Sequence, residues 1–236
     1  MPEAPLAPGE PHDPFEAENR RTHAFNRELD AALIRPLGTG YSKAMPDDIE
    51  AAVGRFADNL SLPQAVINSI LQGNMRGATT DTYRFIVNTT VGLGGIFDPA
   101  TELGMPRATD TDFGETLHVW GVPQGAYLEL PVLGPSTERA AAGMVVDLFT
   151  DPLDHVLPEP ERYYGTGLKA LDGLGRRGRL ADTIDSVLYD SADSYAASRS
   201  LYLQNRRFKL GNRGSDDYLD PYDTVYDDPQ EAEDAE

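Results

Sequence analysis

The chain has 236 residues, 40% hydrophobic and 25% charged, which suits one large folded domain or two small ones. Its formal net charge is −19, and ten of the 39 acidic residues lie between Gly214 and Glu236, where no Lys or Arg occurs; the remaining body, with 29 acidic and 20 basic residues, excludes a protein that tracks nucleic-acid phosphates. The absence of cysteine excludes disulfides, thiolate metal sites and cysteine nucleophiles, and no apolar run approaches the about 20 residues of a spanning helix.

Residues 1–13 are Pro-rich and aperiodic, and read as an N-terminal tether. They lack the basic start and apolar centre of a signal peptide, so the chain is either not exported or begins after a removed leader. Asp47 and Asp48 follow Pro46, and Ile49, Val53, Phe56 and Leu60 then repeat at helical spacing. Pro63 suits a first helical position ahead of Val66, Ile67, Ile70, Leu71 and Met75, with a break expected near Gly73. The next helix is expected from Asn74 or Thr79 to Val91, ending at a stretch that places Gly92, Gly94 and Gly95 within four residues. Ser136 and Thr137 offer caps for a helix carrying Ala141, Met144, Val145 and Leu148, stopped before Pro152. Apolar periods at Leu168, Leu171 and Leu174, at Leu180, Ile184, Val187 and Leu188, and at Tyr195, Leu201, Tyr202 and Phe208 predict three more helices.

One segment departs from the helical pattern. WGVPQGAYLELPVLGPS, residues 120–136, carries Gly121, Pro123, Gly125, Pro131, Gly134 and Pro135, which forbid a continuous helix. Val122 to Leu130 partly alternates, so a hairpin or extended loop is expected, and its apolar composition implies that it rests against something. Beyond residue 212 the sequence reads as a solvated acidic tail, although Tyr218, Tyr222 and Tyr226 recur every four residues.

Chemical motifs are scarce. The glycines of FIVNTTVGLGGIFDPA match neither G-x-G-x-x-G nor a Gly-Lys-Ser/Thr loop, and a helix precedes them where those motifs need a strand. They are expected to end a helix and let the chain bend. His12, His23, His118 and His155 form no H-E-x-x-H, and no G-x-S-x-G elbow occurs, so nothing argues for an enzyme, a metal or a cofactor. What stands out is polar groups within apolar helical faces: Asn88 after Phe85–Val87, Asp147 after Met144–Val146, and Arg199 just before Leu201–Leu203. Such groups usually find structural partners. Lining one channel, they would solvate a charged cargo beside apolar walls.

Five motifs in order resemble the MlaA (VacJ) family of outer-membrane lipoproteins, over about residues 13–210. They are DPFEAENR with Phe25–Asn26 and Arg35–Pro36; RFADNLSLPQAVINSILQG; RFIVNTTVGLGGIFDPA; DFGETLHVWGVPQGAYLELPVLGPS; and SRSLYLQNRR. The chain departs from the family pattern at His23, usually aromatic; at Pro123 and Gln124, in a loop often richer in glycine; at Ala140, usually Asp; and at Ser194, usually Pro. It also lacks the lipidated N-terminal cysteine, so the resemblance implies a mature region cut after its anchor, with Met1 added.

The resemblance implies an all-α fold: a ring-like bundle of amphipathic helices lying in the membrane plane, with an irregular Gly/Pro-rich hairpin loop, over residues 14–212. It implies residence in the outer membrane at its periplasmic face and removal of mislocalised phospholipids from the outer leaflet through a polar channel. A trimeric porin and a periplasmic lipid carrier of the Mla pathway are the implied partners. No bond chemistry, cofactor, metal or nucleic acid is implied. On this reading Asp147, Arg177 and Arg199 line the channel or its ridge, and the arginines attract phosphate. Gly121, Val122, Pro123, Gln124, Gly125 and Tyr127 form the hairpin or gating loop, and Asn88, Gly92, Gly94 and Gly95 the bend. A soluble helical interaction module and a lipid hydrolase are the alternatives.

Overall fold

The computed structural model describes residues 13–156, 158, 159 and 161–211. Of the tether over 1–13 only Asp13 is among them, and the tail from residue 213 with its tyrosines falls outside. The chain divides into two compact units, Met1–Ser200 and Leu201–Glu236; the described part of the second is a helical run to Gly211 that exposes Leu201 and Phe208.

The first unit is helical, as periodicity implied, except for one hairpin among the described residues. Helix α1 (Glu16–Leu29) passes through a π-turn (Asp30–Ile34) into α2 (Arg35–Ala44). Pro36 sits in the first turn of α2 and has no N–H to give, and the wider turn before it absorbs that gap. Helix α3 (Asp47–Leu71) follows, with Asp47, Asp48 and Glu50 in its first turn, where the helix dipole favours negative charge.

Pro63 does not begin a helix: it lies inside the continuous α3, correcting the sequence reading. A mid-helix proline loses one backbone bond, and here the packing of α3 against both α4 and α9 holds the helix through it. The break falls where glycine predicted it. Gly73 takes φ 73°, Asn74 N–H reaches Ser69 O at 2.8 Å and Gly73 N–H reaches Ile70 O at 2.9 Å, a left-handed helix stop. Asn74 then caps α4 (Met75–Thr90) by accepting from Gly77 N–H at 2.9 Å.

After a 3₁₀ turn (Leu93–Gly95) come α5 (Pro99–Glu102) and α6 (Phe113–Val119). Strands β1 (Tyr127–Leu130) and β2 (Gly134–Thr137) pair antiparallel, Tyr127 opposite Thr137 and Leu130 opposite Gly134. The hairpin is therefore shorter and later than the alternating run from Val122 implied. Two asparagines of α1, seven residues apart and hence on one face, cover an edge of β1. Asn19 donates to Tyr127 O at 3.0 Å and accepts from Glu129 N–H at 2.9 Å; Asn26 donates to Leu130 O at 2.9 Å and accepts from Val132 N–H at 2.7 Å. Helix α7 (Glu138–Thr150) is capped by Thr137, as expected, and α8 (Pro152–Val156), α9 (Glu161–Arg179), α10 (Ala181–Leu188) and α11 (Ser194–Gly211) complete the chain.

Burial inverts the usual pattern of a water-soluble domain. Among the described residues buried polar side chains outnumber buried apolar ones, while Phe149, Leu148, Val91, Leu103 and Leu133 are each about 70% exposed. No helix among the described residues is long and apolar enough to cross a membrane. Exposed apolar area of this extent marks an interaction surface.

Candidate functional site

Two cavities share a wall between α3 and α9. The polar one holds about 500 Å³. Arg55, Asp58 and Asn59 enter it from α3, Arg84 and Asn88 from α4, Asp98, Asp110 and Thr111 from the following loop, and Lys169, Asp172 and Arg176 from α9. The apolar one holds about 1010 Å³ and is walled by Phe56 and Leu60 of α3, Met144 and Leu148 of α7, and Leu168 and Leu171 of α9, among others. Ser61, Thr111 and Lys169 line both.

Helical geometry explains the pairing. On α3 the stripe 55-59-62 faces one cavity and the adjacent stripe 56-60-64 the other; on α9 Lys169, Asp172 and Arg176 run beside Leu168 and Leu171. One register along each helix thus builds a polar compartment against an apolar one.

The polar compartment is ionic. Arg176 donates to Asp172 at 2.6 Å and to Asp58 at 2.9 Å. Partial desolvation raises the Asp58 pKa, and the like charges of Asp172 and Asp110 reinforce it against the pull of Arg176, while the side chain itself stays 69% exposed. Arg84 grips Asp98 with contacts of 2.8 and 3.0 Å, and Asn88 donates to Asp98 at 2.8 Å while accepting Ala100 N–H at 3.1 Å. Burial alone would raise Asp98, but the bonds from Thr101 and Asn88 and the charge of Arg84 outweigh it and hold this carboxyl low.

The Gly-rich bend packs on Asn59, one of the residues that line the polar compartment. Gly94 and Gly95 have φ of 78° and 102°, and a Cβ on Gly95 would lie 2.4 Å from the Asn59 Cβ. Asn59 donates to Gly94 O and to Thr89 Oγ1, both at 3.0 Å. The glycines thus serve backbone shape and close approach.

The sequence-selected charges are placed differently. Asp147 lines the apolar cavity, where its Oδ1 accepts from Gln64 at 2.6 Å and Asn68 at 3.0 Å and its Oδ2 accepts Phe113 N–H at 2.9 Å, tying α7 to α3 and α6. Arg177 faces away from both cavities. It is buried on Asp30 at 2.7 and 2.8 Å and on Asp185 at 2.6 Å, and these bonds raise its pKa further. Burial opposes ionisation of Asp30, but Arg177 and Tyr189 outweigh it and lower its pKa. Arg199 pairs with Asp13 and stacks its guanidinium 5.3 Å from the Tyr195 ring centre, closing the opening DP motif onto α11. The loop over 121–125 is pinned: Arg139 donates to Val122 O at 2.9 Å and to Gln124 O at 3.2 Å, and Tyr127 is 1% exposed. Sequence reasoning missed Arg55, Asp58, Lys169, Asp172 and Arg176, whose three-, four- and seven-residue spacings on α3 and α9 are the available signal.

Two departures from the family pattern meet in space. His23 Nε2 lies 3.0 Å from Ser194 Oγ, and His23 Nδ1 lies 3.3 Å from Glu129 Oε1. This is the order of a Ser–His–acid hydrolase triad, which the sequence did not disclose. All three are buried, and none lines either of the two cavities. The pair joins α1 to the start of α11.

Residues 11–209 match the model of a family described as MlaA lipoprotein. The chain is 32% identical to the intermembrane phospholipid transport system lipoprotein MlaA of Escherichia coli K12, over 86% of this chain and 79% of that protein. It is 35% identical to an uncharacterized protein of Rickettsia felis, over 84% of this chain and 77% of that one. A solved structure reported under the words "Structural basis for maintenance of bacterial outer membrane lipid asymmetry" superposes with a TM-score of 0.67 and 29% identity, covering 84% of this chain and 98% of that one.

Proposed function

Because the chain belongs to the MlaA lipoprotein family, we propose that it acts in phospholipid transport that maintains outer-membrane lipid asymmetry, by conducting phospholipids between its two adjoining cavities. The observation that carries this reading is the shared wall at Ser61, Thr111 and Lys169. A phospholipid head group stripped of water costs several kcal/mol per charge, and its acyl chains resist water by about 0.8 kcal/mol per CH₂. A polar compartment fused to a larger apolar one answers both demands at once.

The exposed apolar side chains, among them Phe149, Leu103, Val132 and Leu133, seat the helices in the inner leaflet of the outer membrane, facing the periplasm. Asp147 braces the apolar wall, while Arg177 and Arg199 act as struts behind the conduit. The hairpin, held by Asn19, Asn26 and Arg139, is a fixed membrane contact. Phospholipid taken from the outer leaflet passes to a periplasmic carrier, with a trimeric porin as neighbour in the membrane. No bond is made or broken. The buried Ser194–His23–Glu129 chain would favour hydrolysis only if substrate reached it.

The test is reconstituted transfer of labelled phospholipid between vesicles. Ser61→Phe, which fills the shared wall, should slow transfer at least about tenfold, the effect of about 1.4 kcal/mol on a barrier, with the fold retained. Unchanged transfer in a folded variant rejects the conduit. Release of fatty acid or lysolipid would replace it with the hydrolase reading.

A further inference from the structure

The polar cavity is electrically balanced rather than basic. Its lining carries the cations Arg55, Arg84, Lys169 and Arg176 and the carboxylates Asp58, Asp98, Asp110 and Asp172. Arg84 and Asp98 are closed on each other, and Arg176 is held by Asp172 and Asp58. That leaves unfilled capacity on both signs. Arg55 spends its Nε on Ile96 O at 2.8 Å, and its two terminal nitrogens have no partner among the described residues. Lys169 has one long contact, 3.5 Å to Asp151. Asp58 commits Oδ1 to Arg176 at 2.9 Å, and its Oδ2 has no partner among the described residues.

The cavity is electroneutral and opens to water at Asp58 and Arg176, which are 69% and 55% exposed, but Arg84 and Asp172 beside them are 9% and 8% exposed, so a net charge brought against that buried side is selected against. A head group of net −1 leaves an uncompensated charge inside it, whereas a zwitterion does not. Arg55 and Asp58 are three residues apart on one face of α3, with Cβ atoms about 5–6 Å apart, the scale of the two-carbon bridge between a phosphate and an ammonium. Quaternary ammonium groups are held by aromatic faces, and among the described residues no aromatic side chain lines this cavity. A primary ammonium has three N–H donors and suits carboxylate oxygens instead.

We propose that the polar cavity is selective for a zwitterionic phosphoethanolamine head group, with Arg55 and Lys169 receiving the phosphate and Asp58 the primary ammonium. This rests on the phospholipid-transport reading and adds the head-group class to it. Asp58 is then a specificity-determining residue, and Arg55 a general phosphate contact.

The test is native mass spectrometry of the full chain equilibrated with vesicles holding equal amounts of phosphatidylethanolamine, phosphatidylglycerol and phosphatidylcholine, all with the same acyl chains. The wild type should carry phosphatidylethanolamine about tenfold above either competitor, the ratio that about 1.4 kcal/mol gives. Asp58→Asn removes the ammonium contact and leaves the cavity one unit more positive, so it should erase that enrichment and shift occupancy towards phosphatidylglycerol. Asp58→Glu should restore the enrichment at least in part, and Arg55→Gln should lower occupancy by all three lipids, phosphatidylglycerol most, because it leaves the cavity one unit more negative. Lipid bound in the vesicle ratio by the wild type overturns the selectivity and leaves the transport reading standing. A wild-type chain that binds none of the three overturns the transport reading itself, and the selectivity with it. The wild-type comparison decides the matter even if a variant fails to fold.

Discussion

Asn88 tests the packing around the polar cavity. Its side chain is 6% exposed and makes two opposed bonds, donating to Asp98 at 2.8 Å and accepting the N–H of Ala100 at 3.1 Å. Ala100 is 0% exposed, so Asn88→Ala leaves that N–H without water or partner, which costs about 1–3 kcal/mol. A bond to an ionised acceptor contributes about 1.5–3 kcal/mol, but Arg84 and Thr101 still hold Asp98, so the lower end applies. The expected loss is about 3 kcal/mol at neutral pH. Because the folded-state pKa of Asp98 lies below the ordinary aspartate value of 3.8, its ionised form contributes stability in full above that value. The contribution is lost as pH falls through the lowered pKa. The variant gives up part of that advantage, so the gap between it and the wild type should narrow in acid, while the Ala100 share persists. Urea unfolding followed by helical circular dichroism, at neutral pH and below pH about 4, measures both. A loss under about 1 kcal/mol, or a gap that widens in acid, refutes the reasoning.

Gly95→Val should destabilise by about 3 kcal/mol or more, since it combines φ 102° with a Cβ 2.4 Å from that of Asn59; thermal unfolding checks it, and Gly73→Ala, whose Cβ would meet nothing within 4 Å, should cost less. Arg177→Leu leaves Asp30 held by Tyr189 without its buried cation, while Asp185 keeps Arg35 at 2.6 Å, and should cost about 3 kcal/mol at neutral pH. Since Asp30 titrates below its ordinary range in the wild type, that cost should shrink as pH falls through its depressed pKa. Chemically crosslinking Cys residues introduced for Asn26 and Val132, whose side-chain oxygen and backbone nitrogen lie 2.7 Å apart, should leave vesicle transfer unchanged; arrest of transfer would show that the hairpin moves.

The sequence made the helices legible because apolar spacing and caps act locally: Gly73, Asn74 and Thr137 do in the structure what their types imply. Pro63 misled because its local preference for a helix start yielded to packing on two sides of α3. The family motifs proved to be contacts between segments distant in the chain: Asn19 and Asn26 on the hairpin, Asp13 on Arg199, and Asn88 on the loop after the bend. The cavity charges were not legible. Arg55 and Lys169 look no different in sequence from Arg177 or Arg199; what separates them is whether a distant carboxylate, such as Asp30 or Asp13, closes on the charge. Nor could His23 and Ser194 be paired from sequence, although both stood out singly.

The most direct test of the conduit is photocrosslinking in bilayers. A photoreactive residue is placed at Thr111 on the shared wall, at Leu168 in the apolar cavity, or at Glu16, an exposed and charged position on α1. If phospholipid occupies both cavities, Thr111 and Leu168 capture intact phospholipid and Glu16 does not. Lipid captured no more at Thr111 and Leu168 than at Glu16 contradicts the account.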